Sequence, residues 1–216
     1  MEKILFLIDF DGTITDVDST TTIGRTVIKD ITEDLVIKLR EGKVTIREYM
    51  GTIVSKANIT KEQYKDILTS KVGIDKGFKK FIEKYDNFYI ISSGFDVNIL
   101  TLLEYNDIKV DPERIISNYV VFDGASSKMV LNKYNSENAL DKERYVREFG
   151  EKYQTVVFIG DSYSDFKGAQ AADYVFALKD KRLARHCDLH NVPYIPFENF
   201  DDLYIKVEEL LNKLGY

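Results

Sequence analysis

Cysteine and tryptophan are nearly missing from this chain of 216 residues, which contains one Cys and no Trp. With Cys187 as its sole thiol, the chain can form neither an internal disulfide framework nor a thiolate metal site. Its aromatic residues are 14 Tyr and 13 Phe, whose usual role is packing in a core. The chemistry of this protein must therefore come from other residue types.

Long apolar runs and basic clusters are also missing. No run reaches the roughly 20 residues that span a bilayer, and residues 4–8 are too few for the apolar region of a signal peptide. The net charge is −6, and no group of Lys and Arg is free of interleaved acids, which argues against nucleic-acid binding. We therefore expect a cytoplasmic monomer or homodimer with no membrane or nucleic-acid partner.

The segment from Ile4 to Thr15 carries the most informative pattern. An apolar run is followed by two acids, Asp9 and Asp11, and then by a Gly-Thr turn. Apolar runs of this length are typical of a buried strand in a parallel sheet, and such sheets bind ligands beyond the carboxyl ends of their strands. Because side chains alternate along a strand, we expect Asp9 and Asp11 to share one side while Phe10 points into the protein.

Strand and helix patterns alternate along the rest of the chain. Capping boxes at Thr45–Glu48 and Thr60–Gln63 predict two helices within a helical stretch from about residue 18 to 70. Asp75 is predicted to cap a further helix, and Ser93-Gly94 to form the turn after a strand.

This alternation predicts an α/β fold, a Rossmann-like parallel sheet with helices on both faces. A β-pair is predicted around Asp123-Gly124. Residues 1–15 and 74–216 are predicted to form the core domain, and residues 16–73 a small helical cap inserted after the first strand.

Polar residues follow three of the predicted strands, and a polar pair opens one helix. They are Asp9-Phe10-Asp11, Ser92-Ser93-Gly94, Gly160–Asp165 and Asp141-Lys142. Acids in this number repel one another without a cation, and all-oxygen ligands suit Mg²⁺. A Ser-Ser-Gly turn before a helix can cradle an anion. A metal ion, an anion-binding turn and a lysine side chain together indicate an enzyme that transfers phosphoryl groups.

These four elements resemble, in order, the motifs of the haloacid dehalogenase superfamily of phosphatases. Asp9–Thr15 is similar to the first motif, Ser92 to the second, Lys142 to the third and Gly160–Asp165 to the fourth. The helical insert resembles the cap of the phosphoserine-phosphatase-like subgroup. That subgroup includes phosphoserine phosphatase and the enediol-phosphate phosphatase of methionine salvage.

The resemblance implies a role for each matching residue. Asp9 attacks phosphorus and becomes an aspartyl phosphate, while Asp11 protonates the leaving group and then activates water. Lys142 neutralises phosphate charge and restrains Asp9, although Lys128 and Lys133 are rivals for this role. The implied ligands of Mg²⁺ are Asp9, the Asp11 carbonyl, Asp161 and Asp165.

The residues implied to bind substrate fall into a phosphate group and an insert group. The first comprises Phe10, Ser92, Ser93 and Gly94, and the second Asp18, Tyr49 and Ile53. Phosphoserine phosphatase holds its substrate carboxylate with a cap arginine, whereas Ile53 stands at the equivalent place here and Arg25 and Arg47 are out of register. Since Arg is the natural bidentate partner of a carboxylate, we expect a less charged, small phosphorylated metabolite.

Three functions stay open from the sequence. The first is a phosphatase, with phosphoserine phosphatase or the enediol-phosphate phosphatase as specific activities. A receiver-like signalling domain also combines acids, a hydroxyl, a Lys and Mg²⁺, but its phosphoacceptor is expected after a later strand, without an acid two residues on. A catalytically silent relative would be expected to lack one of the motif residues, all of which are present. Dehalogenases and phosphonate-cleaving relatives lack an acid at Asp11 and are disfavoured.

Overall fold

The structure is a computed structural model that describes residues 2–215. These residues divide into two compact units. The first unit comprises the described residues of Met1–Ile14, Ile74–Ile90 and Lys142–Tyr216, and the second comprises Thr15–Gly73 and Ile91–Asp141. The predicted insert 16–73 thus clusters with residues 91–141, and the division into a core and a cap stays a prediction.

The described residues form seven strands and ten α-helices. The strands are β1 Glu2–Ile8, β2 Phe88–Phe95, β3 Ile115–Asp123, β4 Ser126–Val130, β5 Tyr153–Gly160, β6 Tyr174–Leu178 and β7 Ile195–Phe197. The helices are α1 Ser19–Val27, α2 Lys29–Arg40, α3 Ile46–Lys56, α4 Lys61–Lys71, α5 Gly77–Lys84, α6 Asp96–Tyr105, α7 Lys142–Gly150, α8 Phe166–Ala171, α9 Arg182–His190 and α10 Phe200–Leu214. No helix among residues 2–215 has both the length and the apolar character needed to cross a membrane.

Parallel strands form the sheet of the first unit, in the order β2-β1-β5-β6-β7. The central strand β1 is buried, since no side chain from Leu5 to Ile8 is more than 1% exposed. This is expected of a parallel strand covered on both faces. Ile8 pairs with Ile90 on one side and with Ile159 on the other. The predicted α/β fold class is confirmed.

An aromatic cluster fixes α5 and α10 against β1. The ring centroid of Phe81 lies 5.6 Å from that of Phe6, 4.9 Å from that of Tyr85 and 5.5 Å from that of Phe200. Phe78 contacts Phe200 edge to face at 5.2 Å. Buried aromatic pairs of this geometry add about 0.5–1.5 kcal/mol beyond their burial. The cluster therefore holds the strand that leads directly to Asp9.

Both predicted capping boxes of the second unit are confirmed. The Thr45 hydroxyl accepts a hydrogen bond from the Glu48 amide at 3.1 Å, and the Glu48 carboxylate accepts one from the Thr45 amide at 2.8 Å. Thr60 and Gln63 exchange the equivalent bonds at the start of α4. Each box satisfies two amides that have no partner within the helix, which explains why α3 and α4 begin where the sequence predicts.

The predicted β-pair of the second unit is also confirmed. Strands β3 and β4 pair antiparallel around a turn in which Gly124 has φ +56°. The Ser127 hydroxyl donates to the Val54 carbonyl at 2.7 Å, and the rings of Tyr64 and Phe122 meet edge to face at 5.5 Å. The hairpin and helices α3 and α4 are thus packed together within this unit.

The predicted turn at Ser93-Gly94 is wrong. Strand β2 continues through both residues to Phe95, and α6 begins at the next residue. Both residues are buried, and the Asn118 side chain donates to the Ser93 carbonyl at 2.8 Å. These tertiary contacts override the turn tendency of a Ser-Gly pair.

Two further local predictions need correction. Strand β1 ends at Ile8, so Asp9 lies beyond the strand and Asp11 lies in a turn, and strand alternation does not orient their side chains. Asp75 is not the N-cap of helix α5, which begins at Gly77 with Lys76 in the N-cap position. Asp75 nevertheless accepts a hydrogen bond from the Gly77 amide at 2.8 Å, which satisfies the first amide of the helix.

Candidate active site

Three aspartates meet at the carboxyl ends of two neighbouring strands in the first unit. Asp9 follows β1, Asp161 follows β5, and Asp165 lies at the end of a single 3-10 turn after Asp161. One carboxylate oxygen from each lies within 4.8 Å of the others. Asp9 and Asp165 are buried and Asp161 is half-buried. The sheet register therefore brings together three of the predicted metal ligands.

Lys142 completes this cluster from the first position of α7. Its side chain is 1% exposed, and its Nζ donates to Asp9 Oδ1 and to Asp165 Oδ1, both at 2.5 Å. Of its two rivals, Lys128 lies on β4 and Lys133 places its Nζ 4.5 Å from the ring centroid of Tyr134, both in the second unit. Lys142 is thus the lysine that contacts Asp9.

Asp165 is held in place by the loop that it closes. Its Oδ2 accepts hydrogen bonds from the Asp161 amide at 3.1 Å, the Ser162 amide at 2.8 Å and the Ser162 hydroxyl at 3.0 Å. Its Oδ1 accepts from Lys142. Both oxygens are therefore engaged with the protein, and Asp165 orients Lys142 and the Asp161 loop.

Two residues of the first turn shape the environment of Asp9 and Asp161. Thr13 Oγ1 lies 3.5 Å from Asp9 Oδ2 and 3.5 Å from Asp161 Oδ1. Gly12 has φ +81°, and a Cβ added there would stand 2.7 Å from Asp161 Oδ2. The Gly-Thr pair signalled a turn in the sequence. Its direct approach to Asp161 was missed, because only the fold places β1 beside β5.

The electrostatics of the cluster are those of crowded, buried acids. Burial, followed by repulsion from Asp165, raises the pKa of Asp9 to about 7, with Lys142 opposing the rise. Burial and the charges of Asp9 and Asp165 raise the pKa of Asp161 well above its ordinary value. Burial alone lowers the pKa of Lys142, but the two carboxylates outweigh it and raise that pKa. One ammonium therefore does not neutralise this group of acids.

A divalent cation fits this cluster. Three carboxylates against one ammonium leave an excess of buried negative charge, and oxygen ligands are the preference of Mg²⁺. Asp9 and Asp161 are the residues that would hold the ion, since both oxygens of Asp165 already accept hydrogen bonds from the protein. Bound there, the ion would supply positive charge beside Asp9.

Mg²⁺ is expected to stabilise the protein more at pH 8 than at pH 5.5, because the ion binds the deprotonated carboxylates. Between the ordinary pKa of Asp9, 3.8, and its folded value of about 7, the folded state keeps a proton that the unfolded state releases. The stability of the metal-free protein therefore falls as pH rises through this window, and the raised pKa of Asp161 acts in the same direction. The check is the shift in Tm on adding Mg²⁺ to chelator-treated protein at the two pH values. Equal shifts would contradict the assignment of the cation to these carboxylates.

The two residues between Asp9 and Gly12 differ in exposure. Phe10 is fully buried, as the sequence predicts, and its contact with substrate stays a prediction. Asp11 is half-buried in the turn. Its carboxylate is not part of the cluster of Asp9, Asp161 and Asp165, and its role as ligand or acid stays a prediction.

Ser92, Ser93 and Gly94, which are predicted to bind phosphate, belong to the second unit and lie on β2. The Ser92 hydroxyl accepts a hydrogen bond from the Gly94 amide at 2.9 Å, and both Ser92 and Ser93 are buried. By accepting from this amide, Ser92 keeps its own hydroxyl proton for another acceptor. Phosphate binding by these residues stays a prediction.

The predicted insert residues have structural partners of their own. Asp18 caps α1 by accepting from the Thr21 amide at 2.6 Å, and the Thr21 hydroxyl bonds to the Tyr49 hydroxyl at 2.8 Å. Ile53 is fully buried, and a Cβ added at Gly24 would come within 3.1 Å of its Cδ1. Ile53 is therefore packed inside the second unit, and its contact with substrate stays a prediction.

The fold and this cluster define an α/β enzyme with a centre of acids and one lysine. The chain belongs to the family of haloacid dehalogenase-like hydrolases, which it matches over residues 6–170. The predicted family is thereby confirmed, and so is the prediction that the chain is a phosphatase, since the curated relatives most similar to it include several phosphatases.

Individual relatives and solved structures agree with this placement. The chain is 28% identical over 205 residues to 2-hydroxy-3-keto-5-methylthiopentenyl-1-phosphate phosphatase of Exiguobacterium, covering 90% of this chain and 93% of the relative. It is 26% identical to polyol phosphate phosphatase PYP1 of Saccharomyces cerevisiae, covering 98% and 95%. A substrate-bound phosphoserine phosphatase structure matches 97% of this chain and 99% of its own, with a TM-score of 0.71 at 18% identity. At 18% identity, the similarity to this phosphoserine phosphatase structure shows the fold alone.

Proposed function

We propose that this chain is a Mg²⁺-dependent phosphomonoester hydrolase that acts through an aspartyl phosphate on Asp9. The observation that carries the proposal is the fixed, buried Asp9 carboxylate at the end of β1. Lys142 Nζ holds Oδ1 at 2.5 Å, and Oδ2 faces Thr13. A carboxylate restrained at one oxygen is oriented for attack with the other.

The proposed chemistry uses two half-reactions. In the first, an Asp9 oxygen bonds to phosphorus, and the leaving oxygen departs with its electron pair and takes a proton from Asp11. In the second, Asp11 accepts a proton from water as that water attacks phosphorus, which releases inorganic phosphate and restores the Asp9 carboxylate. Lys142 stabilises negative charge beside Asp9 in both steps, and Asp165 holds Lys142 in place.

Residues near the carboxyl end of β2 are proposed to bind the phosphate group of the substrate. The Ser92 hydroxyl can donate to a phosphate oxygen, because it accepts from the Gly94 amide and its proton takes no part in that bond. Of the two amides expected to bind phosphate, that of Ser93 is the further proposed donor, since that of Gly94 already donates to Ser92. Asp9, Asp161 and the Asp11 carbonyl are the proposed metal ligands, and bound Mg²⁺ supplies charge neutralisation.

We propose a small phosphomonoester without a carboxylate as the substrate. Arg25, one of the two arginines near the expected place of a carboxylate clamp, donates through Nε to Glu33 at 2.8 Å, so its charge is already paired. Thr21 and Tyr49 offer hydroxyls rather than charges. The relatives named above act on 2-hydroxy-3-keto-5-methylthiopentenyl-1-phosphate and on polyol phosphates, and neither name describes a carboxylic acid.

A panel of phosphomonoesters tests this proposal. With Mg²⁺, we expect phosphate release from an aryl phosphate, and kcat/KM for glycerol phosphate at least about tenfold above that for phosphoserine, the equivalent of about 1.4 kcal/mol. The matched control is the same panel in chelator, where release should stop. Preference for phosphoserine would contradict the substrate class, and release from none of the esters would contradict the phosphatase itself.

Because the chain belongs to a hydrolase family, we do not propose the receiver-like signalling domain as its function. The proposal retains a cytoplasmic location, a monomer or homodimer, and no membrane or nucleic-acid partner. Phosphoserine phosphatase and the enediol-phosphate phosphatase are the specific activities that the panel separates, because only the first has a carboxylate on its substrate.

A further inference from the structure

One side chain ties the carboxyl end of β2 to the neighbouring strand β3. Asn118 of β3 donates through Nδ2 to the Ser93 carbonyl at 2.8 Å. That carbonyl belongs to the same peptide unit as the Gly94 amide, which donates to the Ser92 hydroxyl at 2.9 Å. Because a peptide unit is planar and rigid, the two bonds together fix the orientation of its plane. Asn118 and the Ser92 hydroxyl are therefore coupled through a single peptide unit.

Asn118 is itself held in one orientation. Its Oδ1 accepts a hydrogen bond from the Asn132 amide at 2.9 Å, so both ends of its side-chain amide have a partner. The Asn132 side chain donates to the Ser117 carbonyl at 2.9 Å and accepts from the Tyr134 amide at 3.1 Å. Turning the Asn118 amide over would set Nδ2 against an N–H and Oδ1 against a carbonyl, and would lose both bonds. The segment after β4 thus fixes the side chain that holds Ser93.

A buried asparagine is uncommon in the interior of a strand. Asn118 is fully buried, and asparagine is depleted in strands, where β-branched and aromatic residues pack better. A buried polar side chain is costly unless it is hydrogen-bonded. Asn87 makes a bond of the same kind just before β2, where its Nδ2 donates to the Ile4 carbonyl of β1 at 2.5 Å. Of these two asparagines, Asn118 is the one that contacts a residue predicted to bind phosphate.

We propose that Asn118 is a positioning residue for phosphate binding and acts through the Ser93–Gly94 peptide unit. With the plane of this unit fixed, the Gly94 amide donates to the Ser92 hydroxyl and leaves the hydroxyl proton for a phosphate oxygen. The inference rests on the proposed phosphate binding by Ser92 and Ser93, and adds to it a residue 25 positions from Ser93 in the chain. Since groups that are already oriented lose little freedom when a ligand binds, loosening this peptide should weaken phosphate binding.

Calorimetric titration with inorganic phosphate in saturating Mg²⁺ tests this role in the variant Asn118→Asp. The substitution keeps the size of the side chain and an oxygen that accepts from the Asn132 amide. At pH 8 the new carboxylate repels the Ser93 carbonyl instead of donating to it, and Kd for phosphate should rise at least about tenfold relative to the wild type. Since burial raises the pKa of a carboxyl group, the acid should be protonated at pH 5.5. Its O–H then restores the bond, and Kd should return to within about threefold of the wild type at that pH.

Asn87→Asp is the matched control, because it breaks the same kind of bond at the end of β2 that lies away from Ser93. It should lower Tm, as Asn118→Asp does at pH 8, yet bind phosphate like the wild type at both pH values. Asp96, whose carboxylate accepts from the Val120 amide of β3 at 3.4 Å, is present in every variant. Comparison with the wild type at each pH therefore removes its contribution.

Asn132→Asp repeats the test if Asn118→Asp does not fold at pH 8. It loses the donation to the Ser117 carbonyl, which loosens the segment that holds Asn118, and should raise Kd for phosphate about threefold. Equal Kd values at pH 8 for the tested variant and Asn87→Asp would overturn the positioning role and leave the proposed phosphatase standing. A wild-type chain that neither binds phosphate nor releases it from an aryl phosphate would instead contradict the proposed function, and with it this role.

Discussion

Asp9→Asn is expected to lower kcat for an aryl phosphate by a factor of about 10⁴ or more. The Asn amide oxygen carries no negative charge and is a poor nucleophile, so the first half-reaction has no attacking group. The change keeps the size of the side chain and an oxygen that can accept from Lys142, whose Nζ lies 2.5 Å from Asp9 Oδ1. The measurement is steady-state phosphate release, with enzyme at high concentration so that a small residual rate is quantified.

Unfolding cannot explain this expected loss. Burial and Asp165 raise the pKa of Asp9, so the fold disfavours its charged form when metal is absent. Removing that charge should leave the free energy of unfolding in chelator at pH 8 equal to the wild type or above it. Circular dichroism melts provide this control. A variant that keeps a tenth of the wild-type kcat would contradict the assignment of Asp9 as nucleophile.

Lys142→Met is expected to impair both stability and activity. The side chain is 1% exposed and is the shared partner of Asp9 and Asp165. Met fills a similar volume but leaves two buried carboxylates without their cation, and breaking a buried pair in this way costs about 3–5 kcal/mol. Activity should fall by about 10³-fold, because the charge beside the transferring phosphoryl group is lost.

Urea denaturation in chelator at pH 8 measures the stability effect. The double variant Lys142→Met, Asp165→Asn is the informative control, since it also removes one of the uncompensated charges and should recover part of the lost stability. It should recover no activity, because the ammonium is still missing. A destabilisation below about 1 kcal/mol for the single variant would show that the interaction is of the weak, solvent-screened kind and not a buried pair.

Local signals in the sequence were enough to predict several parts of this structure. The capping boxes at Thr45 and Thr60 place α3 and α4, because a capping box involves residues only three apart and depends on nothing else in the fold. The apolar run before Asp9 predicts β1 for a similar reason, since a fully buried strand needs an uninterrupted apolar sequence.

Local signals failed where distant residues compete with them. Ser93-Gly94 reads as a turn, yet burial and the Asn118 hydrogen bond keep both residues in β2. Strand alternation was expected to align Asp9 with Asp11, but the strand ends one residue before Asp9. At Ser93 the backbone follows a contact with a segment that a local window of sequence does not contain. After Ile8 the chain turns instead through local hydrogen bonds, which the Phe10 carbonyl accepts from the Thr13 and Ile14 amides.

By itself, the sequence determined the α/β class, the family and the identity of the acids, because a short motif carries the residue types that the chemistry needs. Only the tertiary structure decided which lysine contacts Asp9. That lysine, Lys142, lies 133 residues from Asp9 in the chain. The tertiary structure also decided that Asp165 holds Lys142 and the Asp161 loop, and that Gly12 and Thr13 face Asp161. The reason is that parallel pairing of β1 with β5 creates these contacts, and pairing between strands so far apart in the chain leaves no local pattern in either one.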